Sequence, residues 1–191
     1  MLTCARIRIA LAVLSVCWFV NPAYTQVGSK SAGFRLTDTA GKTHTLEDYA
    51  GKVLVLEFWS FKCSVALAYE ERMHAIHSRF HDRGVAFLAV ASNKNESSEE
   101  IRRNAENLKV PFPVLLDPDG DLAEALDATH TPSMIVLDAS GIIRYRGAID
   151  NNKRTGENGR IAYVENALNA LLAGQTVSQP ETKAFGCTIR R

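Results

Sequence analysis

Of the four cysteines in this 191-residue chain, Cys4 and Cys17 lie in an N-terminal segment that reads as a leader, and the first left to carry reactive chemistry is Cys63. Before it runs Val53-Leu54-Val55-Leu56-Glu57-Phe58-Trp59, β-branched, aliphatic and aromatic almost throughout, which predicts a central strand covered on both faces. Cys63 lies four residues past that run, where the next helix should begin. The unsatisfied N–H groups and the dipole of a helix N-terminus favour a thiolate over a thiol, and Lys62 adds a positive charge beside it in sequence. The thiolate is the species that attacks a disulfide or a peroxide. A second reading stands beside this one: unpaired cysteine is among the most buried residue types, and an inert packed Cys63 would occupy the same place.

His130-Thr131-Pro132-Ser133 is the next candidate, leading into a strand predicted over Met134 to Leu137. A proline at the first residue of a strand fits an edge or a tight turn, and a cis bond there would re-aim the Thr131 backbone; the sequence leaves cis and trans open. Cys63 and His130 together would give two metal ligands, fewer than a closed site needs. His74, His77 and His81 recur at helical spacing, but only His77 falls beside an apolar stripe. No metal site is read from these residues.

The elements that must position these groups follow from periodicity. Phe34-Arg35-Leu36 starts a strand, and Thr45 caps a short turn over Leu46 to Tyr49. After Cys63, Tyr69, Met73, Ile76 and Phe80 form one stripe of a helix that Gly84 ends. Val85 to Ala91 is a second buried strand, and Ser97 or Ser98 caps a helix whose Ile101, Ala105 and Leu108 share a face. Pro111 and Pro113 stop that helix before a short strand, Val114 to Leu116. Asp117-Pro118-Asp119-Gly120 is a turn, Leu122 to Leu126 one or two helical turns, and Asp138-Ala139-Ser140-Gly141 the loop of a hairpin. A last helix over about Ile161 to Leu172 stops at Gly174, and the tail Gln175 to Arg191 has no periodicity. This order predicts an α/β fold with helices on both faces of a central mixed sheet.

Several of these segments carry a resemblance. Phe58-Trp59-Ser60-Phe61-Lys62-Cys63-Ser64-Val65-Ala66 is similar to the active-site segment of the thioredoxin-like superfamily, and Thr131-Pro132 to its cis-proline loop. More closely, Cys63-Ser64-Val65-Ala66-Leu67-Ala68-Tyr69-Glu70-Glu71-Arg72 resembles the Cys-Pro-Val-Ala-x-x-Tyr-Glu-x-Arg segment of peroxiredoxin-like redoxin domains of the AhpC/TSA type. Tyr145-Arg146-Gly147-Ala148-Ile149-Asp150-Asn151-Asn152 and the closing Gly186-Cys187-Thr188-Ile189 also resemble stretches of that group. The resemblance runs from about Gly33 to the C-terminus. It implies a thioredoxin-like fold with Cys63 and Cys187 as catalytic residues, and Ser60, Thr131, Pro132 and Arg146 around the substrate, Arg144 being a weaker candidate than Arg146. It implies no organic cofactor, only an external thiol reductant, with a peroxide or a protein disulfide as substrate.

The departures bear on mechanism. Ala66 stands where a Cys-x-x-Cys site has its second cysteine, so resolution within the turn is excluded. Ser64 replaces the usual proline. Where a typical peroxiredoxin has Thr three residues and Pro seven residues before its peroxidatic cysteine, this chain has Ser60 and Leu56. Cys187, 124 residues beyond Cys63, can resolve a sulfenic acid or a mixed disulfide from the tail. It can equally form a structural bridge worth about 4–5 kcal/mol in the chain-entropy model, or never meet Cys63. The competing function is a non-catalytic binding or redox-sensing module with a structural Cys63–Cys187 disulfide.

Arg6 and Arg8 precede an apolar run, Ile9 to Val20, which as a helix would span roughly 18 Å against a bilayer core of ~30 Å. That is the anatomy of a secretory signal peptide over residues 1–25, with membrane attachment only if it stays uncleaved. A redoxin domain over 33–174 and a tail over 175–191 complete the organisation, in a periplasmic or secreted protein. With a net charge of +1 and no basic cluster, a nucleic-acid binder is excluded.

Overall fold

The computed structural model describes residues 25–152 and 159–191; the signal-like segment expected over 1–25 falls almost wholly outside them. Among the described residues, nine strands and four α-helices follow in the order β1 (Arg35–Asp38), β2 (Thr43–Thr45), β3 (Val53–Phe58), α1 (Ser64–Phe80), β4 (Val85–Ala91), α2 (Ser98–Asn107), β5 (Val114–Leu116), α3 (Asp121–Ala125), β6 (His130–Thr131), β7 (Ser133–Leu137), β8 (Ile143–Gly147), α4 (Tyr163–Leu172) and β9 (Cys187–Thr188). Seven strands make one mixed sheet in the order β2-β1-β5-β4-β3-β7-β8, and β6 pairs with β9 apart from it. β3 runs parallel to β4 and antiparallel to β7. This is the predicted α/β architecture.

Alternation along the central strands explains why both faces are covered. Val53, Val55 and Trp59 of the β3 segment, with Ala89, Ala91, Met134 and Val136, point to one side and pack against α1, α2 and α4. Leu54, Leu56 and Phe58 point to the other, against α3 and the segment around Phe34. The capping signals act as their chemistry dictates: Ser97 and Glu100 form a capping box at the start of α2, and Thr45 with Asp48 does the same for the turn over Leu46–Tyr49. α4 begins at Tyr163, two residues later than the stripe suggested. The backbone N–H of Ile161 is taken by the Asn151 side chain, which holds Ile161 in a loop, half exposed at 47%.

The tail departs most from what its lack of periodicity suggested. It leaves α4, runs beside the edge strand β8 and is stitched there, Arg146 N–H donating to Pro180 O and Thr182 N–H to Arg146 O. It then crosses the end of the sheet as β9, paired antiparallel with β6 so that Thr131 faces Cys187. Past β9, Ile189 N–H donates to Thr129 O, Arg190 N–H to Asn93 Oδ1, and the Arg191 guanidinium to Ala123 O and Ala128 O. Non-local backbone pairing of this kind leaves no periodic trace in sequence. Among the described residues no helix is long and apolar enough to cross a membrane.

Candidate active site

Cys63 is the N-cap of α1, and its Sγ accepts the Ala66 N–H at 3.5 Å. The strand-to-helix turn is therefore what the sequence suggested, a sulfur aimed at free amide donors. Across from it the Thr131–Pro132 bond is cis, and Thr131 O lies 2.9 Å from Cys63 Sγ. The tail closes the third side as a strap: β9 lays Cys187 against the cluster that holds Cys63, and both cysteines are free thiols. Phe185, just before it, packs on Tyr69 of α1 at 6.2 Å between ring centres.

The two sulfurs are unequal. Burial alone would push the Cys63 thiol up, but hydrogen bonds from the Cys187 thiol and the Ala66 N–H outweigh it and bring Cys63 below its ordinary value. Cys187 moves the other way: the neighbouring Cys63 sulfur and the loss of solvent push it up, and these effects exceed the pull of the Val65 and Ser64 N–H groups. Of the pair, Cys63 is the more acidic sulfur and Cys187 the less acidic one. Their access is unequal too. Cys63 is 1% exposed, while Cys187 is partly exposed and lines an open groove of 710 Å³.

Of the other residues picked from sequence, Ser60, Thr131 and Pro132 gather here, and Arg146 does not. Ser60 is buried, donates its hydroxyl to Glu96 and accepts the Lys62 N–H at 3.1 Å. The Arg146 guanidinium, on β8, instead donates to the carbonyls of Thr25, Leu126 and Asp127, tying the start of the described chain to the loop before β6. Arg144 pairs with Asp138 at 2.6 Å.

Two buried acids were missed by the sequence reading. Glu96 is 7% exposed and lines the same groove as Cys187, with its Oε2 unpartnered among the described residues. Glu57 sits inside β3, 4% exposed, on the α1 side by strand alternation with Val55 and Trp59. The signal for Glu57 was present: one carboxylate in an otherwise apolar strand. Burial, aided by the charge of Glu70, pushes Glu57 well above the usual carboxylate range. Glu70 is itself raised by burial, and accepts the Trp59 indole N–H.

A raised folded-state value has a definite sign. Glu57 stays protonated in the fold where the unfolded chain has already ionised, so its stabilising share is complete below the ordinary carboxylate value. It is lost, at about 1.4 kcal/mol per pH unit, as pH climbs towards the folded value. Glu57→Gln carries no such proton. Urea midpoints taken between pH 4 and pH 8 should show the variant gaining on the parent as pH rises; parallel pH profiles would mean that Glu57 ionises freely in the fold.

Comparison with known proteins adds the following. The profile of the AhpC/TSA family matches residues 27–146, which includes Cys63 and the cis-proline loop and stops short of Cys187. The thiol-disulfide oxidoreductase ResA of Geobacillus kaustophilus is 28% identical over 127 residues, 66% of this chain and 72% of that one. The thiol:disulfide interchange protein DsbE of Vibrio cholerae is 28% identical over 131 residues, 67% of this chain and 68% of its own. The crystal structure of an uncharacterized conserved protein from Geobacillus kaustophilus superposes with a TM-score of 0.80 at 28% identity, covering 88% of this chain and 94% of the other.

Proposed function

This chain belongs to the AhpC/TSA family, and from that premise we propose that it exchanges disulfides with a thiol-bearing partner through the pair Cys63 and Cys187. It is a thiol oxidoreductase of thioredoxin-like fold, and its relatives carry names of thiol-disulfide oxidoreductases. One observation supports the two-cysteine reading above all: β9 pairs Cys187 with Thr131, whose carbonyl oxygen lies 2.9 Å from Cys63 Sγ, so that two cysteines separated by 124 residues are brought together. In the reduced protein that arrangement stores two electrons. Joining the sulfurs releases both electrons to an oxidised partner, and an external thiol reductant restores them. No organic cofactor is needed.

Peroxide as the oxidant is a weaker reading. The Ser60 hydroxyl, which stands where peroxiredoxins carry threonine, is engaged by Glu96, and Cys63 is covered by the strap. Export is proposed from Arg6, Arg8 and the apolar run Ile9–Val20, and fits a protein whose work is disulfide chemistry.

The test uses the chain from Gln26 onward, fully reduced, then treated with one equivalent of diamide or of hydrogen peroxide. Loss of two hydrogens in the intact mass, mapped to a Cys63–Cys187 bridge, and dithiothreitol-driven reduction of insulin are expected with diamide as oxidant and insulin as substrate. Hydrogen peroxide should form the bridge at least about ten-fold more slowly, consistent with a shielded thiolate. Failure to form the bridge with either oxidant would overturn the two-cysteine reading, and fast oxidation by peroxide would restore the peroxidase.

A further inference from the structure

Resting on the two-cysteine reading above, we propose that Cys187, not Cys63, is the sulfur that meets the exchange partner, and that the partner's thiol is flanked by acidic groups. The position of the cysteines in the fold would suggest the reverse, since Cys63 occupies the start of α1. Access decides otherwise. Cys63 is 1% exposed, closed in by Thr131 O at 2.9 Å on one side and by β9 on another. Cys187 is partly exposed and forms part of the wall of the 710 Å³ groove, whose other walls include Ser60, Lys62, Glu96 and Arg190. A sulfur arriving from solvent through that groove reaches Cys187 first.

The chemistry agrees with the access. In the oxidised protein the sulfurs are joined as Cys63–S–S–Cys187. A partner thiolate attacks Cys187 Sγ along the groove; the new bond forms between the partner sulfur and Cys187, the old bond breaks, and its electron pair leaves on Cys63 Sγ. The better leaving group in a disulfide is the sulfur whose thiol is the stronger acid. Cys63 receives the Ala66 N–H at the helix N-terminus and so accepts that charge. A second partner thiolate then attacks the partner's sulfur in the mixed disulfide. It forms the partner disulfide and releases Cys187 as a thiolate, which takes a proton from solvent. Two partner thiols are oxidised and one protein disulfide is reduced.

The groove also selects by charge. Lys62, Arg190 and Arg191 all line it, Lys62 in an exposed ion pair with Glu100 at 3.4 Å, and the one side-chain carboxyl among the lining residues, Glu96, is pushed up by burial. Side chains of one sign at a cleft raise the local concentration of the opposite charge and speed its arrival. Glutathione, which carries two carboxylates, and cysteamine, which carries an amine, are therefore the probes that separate steering from simple exposure.

The oxidised full-length mature chain, with its Cys63–Cys187 bridge verified by intact mass, is treated with a limited excess of glutathione, quenched in acid within seconds and peptide-mapped. Glutathione is expected on Cys187, with Cys63 as the free thiol. Glutathione on Cys63 would overturn the assignment while leaving the two-cysteine function standing, because the bridge was present at the start. Absence of the bridge before glutathione is added would instead overturn the function itself. In parallel, rate constants corrected for thiolate fraction are expected to favour glutathione over cysteamine by at least about three-fold at low ionic strength, and to converge as salt is raised. Equal rates at low salt would overturn the acidic-partner half of the proposal.

Discussion

Gly186→Ala is expected to unseat Cys187 from Cys63 and slow formation of their disulfide at least about ten-fold, while the two hydrophobic layers stay folded. Gly186 has φ +148°, a conformation that L side chains rarely adopt, and a Cβ there would lie 2.0 Å from Thr131 O and 2.8 Å from Thr131 C. Thr131 cannot retreat, since it is followed by Pro132 and by Ser133, which pairs with Phe58 in the central sheet. The strap must therefore shift, and Cys187 is the next residue along it. Backbone strain of this type costs about 1–3 kcal/mol, and 1.4 kcal/mol is already a factor of ten in the population of the seated strap. Diamide-driven bridge formation, followed by quenched alkylation, reads the loss directly. Iodoacetamide should label Cys63 faster in the variant than in the parent, because the cover is displaced. Gly174→Ala is the control: its φ of +68° is strained too, but nothing lies within 4 Å of the added carbon and the site is remote. An unchanged rate of bridge formation in Gly186→Ala would mean that the strap does not bring the cysteines together.

What the sequence revealed and what it hid divide along a physical line. β3, β4 and α1 were readable because each is long, strongly periodic and buried on predictable faces; Val53 to Phe58 is buried at every position. Cys63 was placed at a helix N-terminus because the change from strand to helical period is visible on either side of it. β2, β6 and β9 escaped notice because two- or three-residue strands are fixed by their pairing partners and carry no period of their own. The meeting of Cys187 with Cys63 depends on one such pairing, Thr131 opposite Cys187, so resemblance suggested it and periodicity could not. The partners of Arg146 were hidden for a related reason. A cation next to a tyrosine says nothing about which carbonyls it will reach, and here those of Thr25, Leu126 and Asp127 claim it.

Glu57 and Glu96 show the converse failing. Glu57 is the one carboxylate in a segment read for its apolar content and Glu96 stands just ahead of the Ser97 cap, and a buried charged residue in such a segment is the informative observation. Each lies close to the chemistry by topology: Glu57 two residues before Trp59 on the same face of the strand, Glu96 in a loop that lines the groove together with Cys187.

The motif residues Tyr69, Arg72 and Asp150, separated by some eighty positions, turn out to be one ion-paired cluster, and removing its centre should be the most destabilising single change in the chain outside the apolar core. Asp150 is fully buried and accepts from Tyr69 OH at 2.7 Å, Arg72 at 2.6 Å and Arg160 at 2.8 Å. Arg160 also reaches Glu165 of α4, which is bound in turn by Arg79 of α1. Asp150→Ala leaves two guanidinium groups, each at most 14% exposed, without their shared counter-charge. Breaking a buried pair from one side costs about 3–5 kcal/mol, a large part of the 5–15 kcal/mol typical of a domain. Asp150→Asn keeps the shape and two acceptor lone pairs, so it should lose less. The effect should also reach the active site, because Tyr69 carries Phe185 on its ring and Phe185 anchors the strap one residue before Gly186. Urea midpoints measure the first loss, and the rate of Cys63–Cys187 bridge formation in molecules still folded measures the second. A midpoint shifted by less than about 1 kcal/mol would place the cluster among solvent-screened surface pairs. A large shift with an unchanged bridging rate would show that the strap is held by β6, Thr182 and Asn93 alone.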